Sequence, residues 1–549
     1  MNDPAAADAL AAHERLLQSL LRGDALPGEP AQRRLIRTHI SSLVLAGDCA
    51  YKLRRPLALP FLDFSTVARR HADCMDELRL NRRTAPALYL DVRPVLGTAE
   101  APRLGDPSDP APQAIDWLLR MRRFAPSDLL DAMAREGRLG AAHIDALARE
   151  VAAFHAALGP SPAHFGRAET VRRWLVEALD AIGAHPRAQA HRAEVTALRA
   201  GLLRDINRLA PQIERRRTQG FVREGHGDLH LANIVLLDGV PRPFDAIEFN
   251  AELRHIDVMN DIAFSFMDLL RHGLPWLAWR FAGGYVEHSG DFDGLALLRF
   301  FAAGRALVRA RVALMRADAA AERTSPAAGD AEDAAVEGEA ASAFARDLAL
   351  AEQLASARAD APRLLLVCGL SGSGKSSAAL HLAQSLGGIR VRSDVERKRL
   401  HRLSPTDRPT PAQATSLYGP EATVRSYARL GELARGLLAA SLDAVVDAAA
   451  LRRGERDALR AIAAAAGARF VLVECLAPEA ALPARLARRA RDGTDPSDAD
   501  AAVLALQRRV REPLGTEEGA VTLVNDGSLD QLQRRCESVA ARLQREATA

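Results

Sequence analysis

The sequence predicts a multidomain chain of α+β and α/β character, ending in a parallel sheet with helices on both faces. Three observations predict it. At 549 residues the chain exceeds one ordinary core; at roughly 150 residues per domain it should hold about three to four. From Arg363 onward, short apolar runs alternate with amphipathic stretches, as strands and crossover helices do in a parallel sheet. Before that point, strand-like hairpins and long helical stretches follow one another without such alternation.

The apolar fraction of 48% and the charged fraction of 26% are those of an ordinary globular protein. Lys+Arg 73 against Asp+Glu 70 leaves a net charge of +3, without the basic excess of a dedicated nucleic-acid binder. No run of about 18 apolar residues occurs, and Met1-Asn2-Asp3-Pro4 lacks a signal-peptide flank. The expectation is a soluble, cytoplasmic chain with no membrane partner. Cys49, Cys74, Cys368, Cys475 and Cys536 are odd in number and widely spaced, which fits reduced thiols rather than a disulfide frame or zinc site.

Only three of the 73 basic residues are lysines, Lys52, Lys375 and Lys398. A lysine retained in so arginine-rich a chain marks a place where a compact point charge matters more than a guanidinium fork.

In chain order, residues 1–35 read as a helical lead-in, and apolar residues flanking Gly47-Asp48 make a hairpin over 41–53. Ser65 then caps a helix to about Arg82, with Val67, Cys74, Met75 and Leu78 on its apolar face. Strand-like runs at 87–96 and 114–121 precede helical patterning from 126 to about 217. A second hairpin is expected over 233–237 and 243–247, turning at Asp238-Gly239, with helices resuming from 258 to about 317. The acidic, small-residue stretch 318–342 reads as a mobile excursion, followed by a linker helix over 343–357. The expected domains are the lead-in 1–35, a first domain 36–317, the excursion and linker 318–361, and a second domain 362–549.

In that second domain, the apolar run Leu364-Leu365-Leu366-Val367-Cys368 leads into Gly369-Leu370-Ser371-Gly372-Ser373-Gly374-Lys375-Ser376, followed by Ser377 and a helical stretch. The octapeptide fills G-x-x-x-x-G-K-[ST] in the strand–loop–helix context the pattern demands. Such a loop turns backbone N–H groups onto phosphate oxygens at a helix N-terminus. Lys375 would reach the β/γ-phosphates and the Ser376 hydroxyl a Mg²⁺ ion, so ATP and Mg²⁺ are the expected cofactors.

Three later features suit phosphoryl transfer. Asp394 follows a second strand-like run and could deprotonate an acceptor hydroxyl, or simply cap a helix. Asp447 ends the run Ala444-Val445-Val446, where an acid binds Mg²⁺ through water. Arg485 and Arg489, with Arg488 and Arg491, form a lid-like stretch able to close on a transferring phosphate; a solvated helix face is the bland alternative. Lys398, four residues after Asp394, should share its helix face.

The first domain holds His226-Gly227-Asp228, then Asn233, then Asp245 beyond a hairpin. One acid can serve as base to a hydroxyl, while Asn233 and Asp245 supply metal ligands. The acidic stretch 245–268, with Glu248, Glu252 and Asp257, could also hold a cationic amino sugar.

Residues 363–545 resemble the small P-loop kinases that include adenylyl-sulfate, gluconate and polynucleotide 5′-hydroxyl kinases. The likeness rests on the phosphate loop, Ser393-Asp394, Val445-Val446-Asp447 and the arginine-rich stretch; Ala448-Ala449-Ala450 departs from it, since relatives often place Thr or Asn there. Residues 36–317 resemble the aminoglycoside phosphotransferase and choline kinase group on the ordered set 224–264, which implies a bilobal protein-kinase-like fold. That resemblance gives Lys52 the α/β-phosphates, with Glu77 as its helix partner and Asp73 or Asp76 as alternatives, and makes Asp261 a brace for the catalytic loop. No G-x-G-x-x-G precedes Lys52. The whole order resembles a bacterial family of fused proteins, a phosphotransferase-like domain followed by an ATP-binding P-loop domain. It implies transfer of the ATP γ-phosphate to a hydroxyl of a small-molecule acceptor. Two alternatives stay open: a regulatory protein in which one domain is an ATP switch, and a polynucleotide 5′-hydroxyl kinase. Near-neutral charge and 5% aromatics disfavour the second, since single-strand grooves use basic stripes and stacking rings.

Overall fold

A computed structural model describes residues 4–59, 62–108, 113–323, 331–356, 360–410, 413, 416–493 and 495–548. Two compact units emerge, one of Met1–Leu139, Ala153–Trp174 and Arg208–Ser265, the other of Gly140–Ala152, Leu175–Asn207 and Phe266–Ala549.

The first unit is built on a six-stranded antiparallel sheet. Its order is Arg34–Arg37, Ser41–Ala46, Cys49–Arg54, Asp116–Arg122, Tyr89–Gly97, Pro102–Leu104. Alternation along Cys49–Arg54 sorts its side chains to two faces. Tyr51 and Leu53 join Leu16, Leu17 and Leu20 of the helix Pro4–Arg22, so the lead-in covers one face of the sheet. Arg33 fastens that helix by donating to the carbonyls of Leu20 (2.9 Å), Gly23 (2.6 Å) and Leu26 (2.6 Å). Ala50 packs on the opposite face with Cys74 and Leu78 of the helix Val67–Asn81, and strand alternation brings Lys52 and Arg54 to that same face.

Three expectations shift here. Thr66, not Ser65, caps the helix, accepting from the Arg69 N–H; the Ser65 hydroxyl donates instead to Asp63. Met75 falls outside the buried stripe and is 47% exposed, one 100° step from Cys74. The second hairpin is tighter than expected, pairing Ile234–Leu237 with Val240–Pro243. Asp238 (φ 50°) and Gly239 (φ 79°) form a two-residue turn of left-handed backbone, so pairing restarts at once with Leu237 opposite Val240. Pro241 and Pro243 are tolerated because this strand has a partner on one side only. Residues 244–247 therefore form a loop, and Asp245 lies in it with φ 62°.

In the second unit, the stretch expected as an excursion is helical on both sides. The helix Leu295–Arg323 packs along Ala331–Ala355, and residues 324–330 lie outside the described residues. Alanine and glutamate are strong helix formers, so low apolar content did not mean loss of structure. A five-stranded parallel sheet follows in the order Ile389–Arg392, Ala444–Asp447, Arg363–Cys368, Arg469–Leu476, Val521–Val524. The helices Lys375–Leu386 and Leu529–Thr548 bury Ala378, Leu382, Leu532 and Cys536 against Leu365, Val367, Val445 and Val473. Pro420–Ala439 and Arg453–Ala465 also pack on the central strands. No helix among the described residues is long and apolar enough to cross a membrane, and all five cysteines are free thiols.

Candidate functional site

The first constellation gathers around Lys52. Its ammonium lies 2.8 Å from Glu77 Oε1 and 2.9 Å from Asp245 Oδ1. Burial works against the ammonium, but the Asp245 and Glu77 carboxylates outweigh it and hold the lysine above its usual range. Conversely, burial would raise Asp245, yet Lys52 brings it below the ordinary carboxylate range. Asp73 and Asp76, the alternatives for the Lys52 partner, are engaged elsewhere, Asp73 with Arg54 and Asp76 with Arg79.

Arg54 was not singled out by the sequence, and it completes this cluster. Fully buried, it donates to Ser41 Oγ at 2.8 Å and Glu77 Oε2 at 2.6 Å, and also pairs with Asp73 and Glu248. A guanidinium can satisfy that many acceptors where an ammonium cannot. Spacing was the available signal: two residues after Lys52 on a strand is the same face. Glu248 is pushed up to about 8 by burial, with Arg54 opposing.

Asp228 sits in a loop braced from behind. Asp261, fully buried, accepts from the N–H groups of His226 (2.7 Å) and Gly227 (3.0 Å) and contacts His155 Nε2 at 3.2 Å. Burial would raise Asp261, but those hydrogen bonds, His155 first, bring it to about 2. Gly227 is required: its φ is 84°, and a Cβ there would sit 2.7 Å from the Leu253 carbonyl. The Asp228 carboxylate accepts from Asn233 Nδ2 at 3.0 Å and lies 3.3 Å from His230 Nε2. Asn233 thus commits its amide nitrogen to Asp228 and keeps its amide oxygen as a ligand atom, which fits a divalent cation shared with Asp245.

The second constellation is the phosphate loop between Arg363–Cys368 and Lys375–Leu386. Gly369, Gly372 and Gly374 have φ of 142°, 85° and 94°. A Cβ on Gly369 would meet the Cys475 carbonyl at 2.5 Å, and one on Gly374 would meet Asn525 Nδ2 at 2.1 Å. Asn525, another residue the sequence did not mark, donates to the Ser373 carbonyl at 2.8 Å and so holds the loop from the end of the last strand. Ser371 N–H donates to Gln507 Oε1 at 2.8 Å. Lys375 is buried at the helix start, with Ser376 and Ser377 half-buried beside it.

Asp447 ends the neighbouring strand, buried, with Oδ1 lacking any hydrogen-bond partner and Oδ2 3.5 Å from Arg392. An orphaned buried carboxylate oxygen beside a phosphate loop is what a Mg²⁺ shell would satisfy, so the residues fit that ion. Leu370 packs with Leu482 and Leu486 of the arginine-rich helix Ala481–Asp492. Arg485 there donates to the carbonyls of Gly372 (3.4 Å) and Asn525 (3.0 Å), and Arg489 to Ala499 (2.7 Å), while Arg488 and Arg491 are exposed. Asp394 is half-buried in the first turn of Ser393–Leu400, where no side-chain cap forms.

Lys398 departs from expectation. It is fully buried and donates to the carbonyls of Pro405 (3.2 Å) and Asp407 (2.8 Å) and to Asp498 (3.1 Å), not toward Asp394. Three acceptors around one ammonium make a structural cage. The acidic stretch departs too, because Arg54 takes Glu248, Arg216 takes Asp257 at 2.8 Å and Arg173 takes Glu252 at 2.7 Å. Glu248 and Asp257 are thereby spent on buried arginines, while the Arg173–Glu252 pair is exposed.

Residues 364–514 match a family model described as an AAA domain. That match takes in the phosphate loop and the strand ending at Asp447. An uncharacterized protein of Mycobacterium tuberculosis is 28% identical over 482 residues, covering 86% of this chain and 89% of the relative, and one of Mycobacterium bovis matches equally. A gluconokinase structure from Sinorhizobium meliloti 1021 is 25% identical with a TM-score of 0.25, covering 34% of this chain and 94% of that one. An amicoumacin kinase in complex with AMP-PNP, Ca2+ and Ami is 15% identical with a TM-score of 0.36, covering 62% and 96%. A choline/ethanolamine kinase family protein from Mesorhizobium loti is 10% identical with a TM-score of 0.33, covering 62% and 99%.

Proposed function

We propose that the chain is an ATP-dependent phosphotransferase with two nucleotide sites, in residues 36–317 and 362–549, each acting on a hydroxyl of a small-molecule acceptor. The observation that carries this reading is the Lys52–Glu77–Asp245 ion-pair set together with the Asp228–Asn233 hydrogen bond. It supplies a cation for phosphates, a base for a hydroxyl and two oxygen ligands, which is most of what phosphoryl transfer asks of a protein. The phosphate loop with the orphaned oxygen of Asp447 supports the second site.

In the first site Asp228 takes the acceptor proton, its carboxylate aimed by Asn233 and its loop held by Asp261. Lys52 grips the nucleotide phosphates while Glu77, fixed by Arg54, keeps the ammonium in place. Asn233 and Asp245 would hold Mg²⁺ there, as Ser376 and Asp447 would in the second site. Held there, the ion would supply positive charge against the phosphates. In the second site Lys375 and the loop N–H groups hold the phosphates, and Asp394 takes the acceptor proton. Arg485 and Arg489 must each exchange a backbone carbonyl for a phosphate oxygen to stabilise the transferring group.

The test is acceptor discovery by mass spectrometry, using a cell extract and ATP carrying ¹⁸O in its γ-phosphate. Labelled phosphate esters should form, one set vanishing in Asp228→Asn and another in Lys375→Ala. An extract without labelled esters, with both variants equal to wild type, would overturn the reading.

A further inference from the structure

The loop 244–247, which carries Asp245, belongs to no strand, yet each of its backbone N–H groups has an acceptor. Phe244 N–H donates to the Asn233 carbonyl at 2.9 Å, and Ile247 N–H to the His226 carbonyl at 3.1 Å. The two between them meet side chains from a distant part of the first unit. Asp245 N–H donates to the Tyr89 hydroxyl at 3.1 Å, and Ala246 N–H to Asn81 Oδ1 at 2.8 Å. The ends of the loop are thus fastened to the stretch bearing Asp228. Its middle is fastened to the helix bearing Glu77 and to the sheet bearing Lys52.

Both inner acceptors are fixed in their own right. Tyr89 and Asn81 are fully buried. The Asn81 amide nitrogen donates to the Glu77 carbonyl at 2.9 Å, one helical turn back, which leaves its oxygen to accept from Ala246. Tyr89 opens the strand Tyr89–Gly97 and belongs to the same apolar cluster as Leu78 and Leu119, so its hydroxyl has little freedom to move.

Asp245 needs such restraint. Its φ of 62° is in the left-handed region, which few residues other than glycine adopt. Its carboxylate is drawn to the Lys52 ammonium at 2.9 Å. A carboxylate that ligates Mg²⁺ must present its oxygen within a narrow octahedral geometry. Without the two inner hydrogen bonds, adjacent buried N–H groups would lack acceptors, and the backbone would relax to commoner φ and carry the carboxylate away.

We propose that Tyr89 and Asn81 are positioning residues for the metal of the first site, fixing the Asp245 carboxylate by holding its backbone. This rests on the reading of Asp245 as a metal ligand there. Asn81 lies one turn beyond Glu77 on the helix Val67–Asn81, so one element sets both the partner of Lys52 and the loop of Asp245. Loosening the loop therefore weakens what the ion contributes and spares what Lys52 contributes.

The full-length chain carrying Lys375→Ala, which removes the cation of the phosphate loop, isolates the first site. ATP is titrated calorimetrically at saturating Mg²⁺ and again with EDTA, and the ratio of the two affinities reads what the ion adds. The parent should bind about tenfold more tightly with Mg²⁺, a gain readily resolved by calorimetry. Tyr89→Phe, which keeps the ring, and Asn81→Ala should each cut that gain roughly threefold or more, and the two together should remove most of it. Affinity in EDTA should not fall, because Lys52 and Glu77 are untouched. If Asn81→Ala does not fold, Tyr89→Phe decides alone. An undiminished gain in Tyr89→Phe would overturn the positioning role and leave the first site standing. An equal fall with Mg²⁺ and with EDTA would also overturn it, by reducing the hydroxyl to general support of the fold. A parent without Mg²⁺-dependent ATP binding would overturn the reading of the first site, and this inference with it.

Discussion

Replacing Gly374 by alanine tests the phosphate cradle at its tightest point. The residue has φ 94°, and the added methyl carbon would lie 2.1 Å from Asn525 Nδ2. An L-residue in left-handed backbone costs roughly 1–2 kcal/mol. Displacing Asn525, which is 5% exposed, also breaks its 2.8 Å hydrogen bond to the Ser373 carbonyl, worth about 1 kcal/mol. The variant loop will relax to another shape, and nucleotide binding must then restore the cradle at a cost of about 2–3 kcal/mol. That corresponds to Mg·ATP affinity at the second site weaker by roughly 30- to 150-fold. Calorimetric titration of the full-length chain reads this directly. Gly436→Ala is the matched control, since Gly436 lies inside the helix Pro420–Ala439 with nothing within 4 Å of a new Cβ. It should stabilise by roughly 0.5–1 kcal/mol and leave affinity alone. Equal affinities in the two variants would refute the argument that loop conformation, and not the motif's letters alone, builds the site.

Two further outcomes follow from ion-paired charges. Lys398→Arg puts a longer, branched group into a cage of two carbonyls and Asp498, so it should destabilise by about 1–3 kcal/mol; a melting temperature equal to wild type would contradict the cage. Glu224 is held at about 2, because burial, which would raise it, is outweighed by hydrogen bonds from Arg79 and Arg254. Its folded value lies below the unfolded 4.5, so the stabilisation is complete above about pH 4.5 and is lost as pH falls toward 2. Solvent screening at this half-buried site holds the worth of the shift to about 1 kcal/mol. Acid unfolding of Glu224→Gln should therefore approach wild type near pH 2 and diverge toward neutrality, and curves that stay parallel would contradict the assignment.

What could be read from sequence was what lies close along the chain. The phosphate loop, His226-Gly227-Asp228 with Asn233, and the hairpin carrying Lys52 are local patterns whose chemistry follows from spacing. Asn525 is different: it braces Ser373 from 152 residues away, and only the parallel sheet's last strand brings it there. Arg54 was hidden by composition, because one arginine among 70 carries no signal until strand alternation places it beside Lys52. The same composition made the lysines informative, although for a reason spacing alone did not expose. Lys52, Lys375 and Lys398 are all buried or nearly so, and the cages around Lys52 and Lys398 suit a compact ammonium. The helix Ala331–Ala355 was expected only from 343 onward, because low apolar content before that was read as disorder, while its alanines and glutamates favour helix.

The central claim is that one chain carries two nucleotide sites, and the number of Mg·ATP molecules bound per chain tests it most directly. Calorimetry on the full-length protein at saturating Mg²⁺ should give two for wild type. Lys375→Ala should leave one, and Asp245→Ala should leave one at the other site. A single site in wild type, or two sites persisting in Lys375→Ala, would contradict the account.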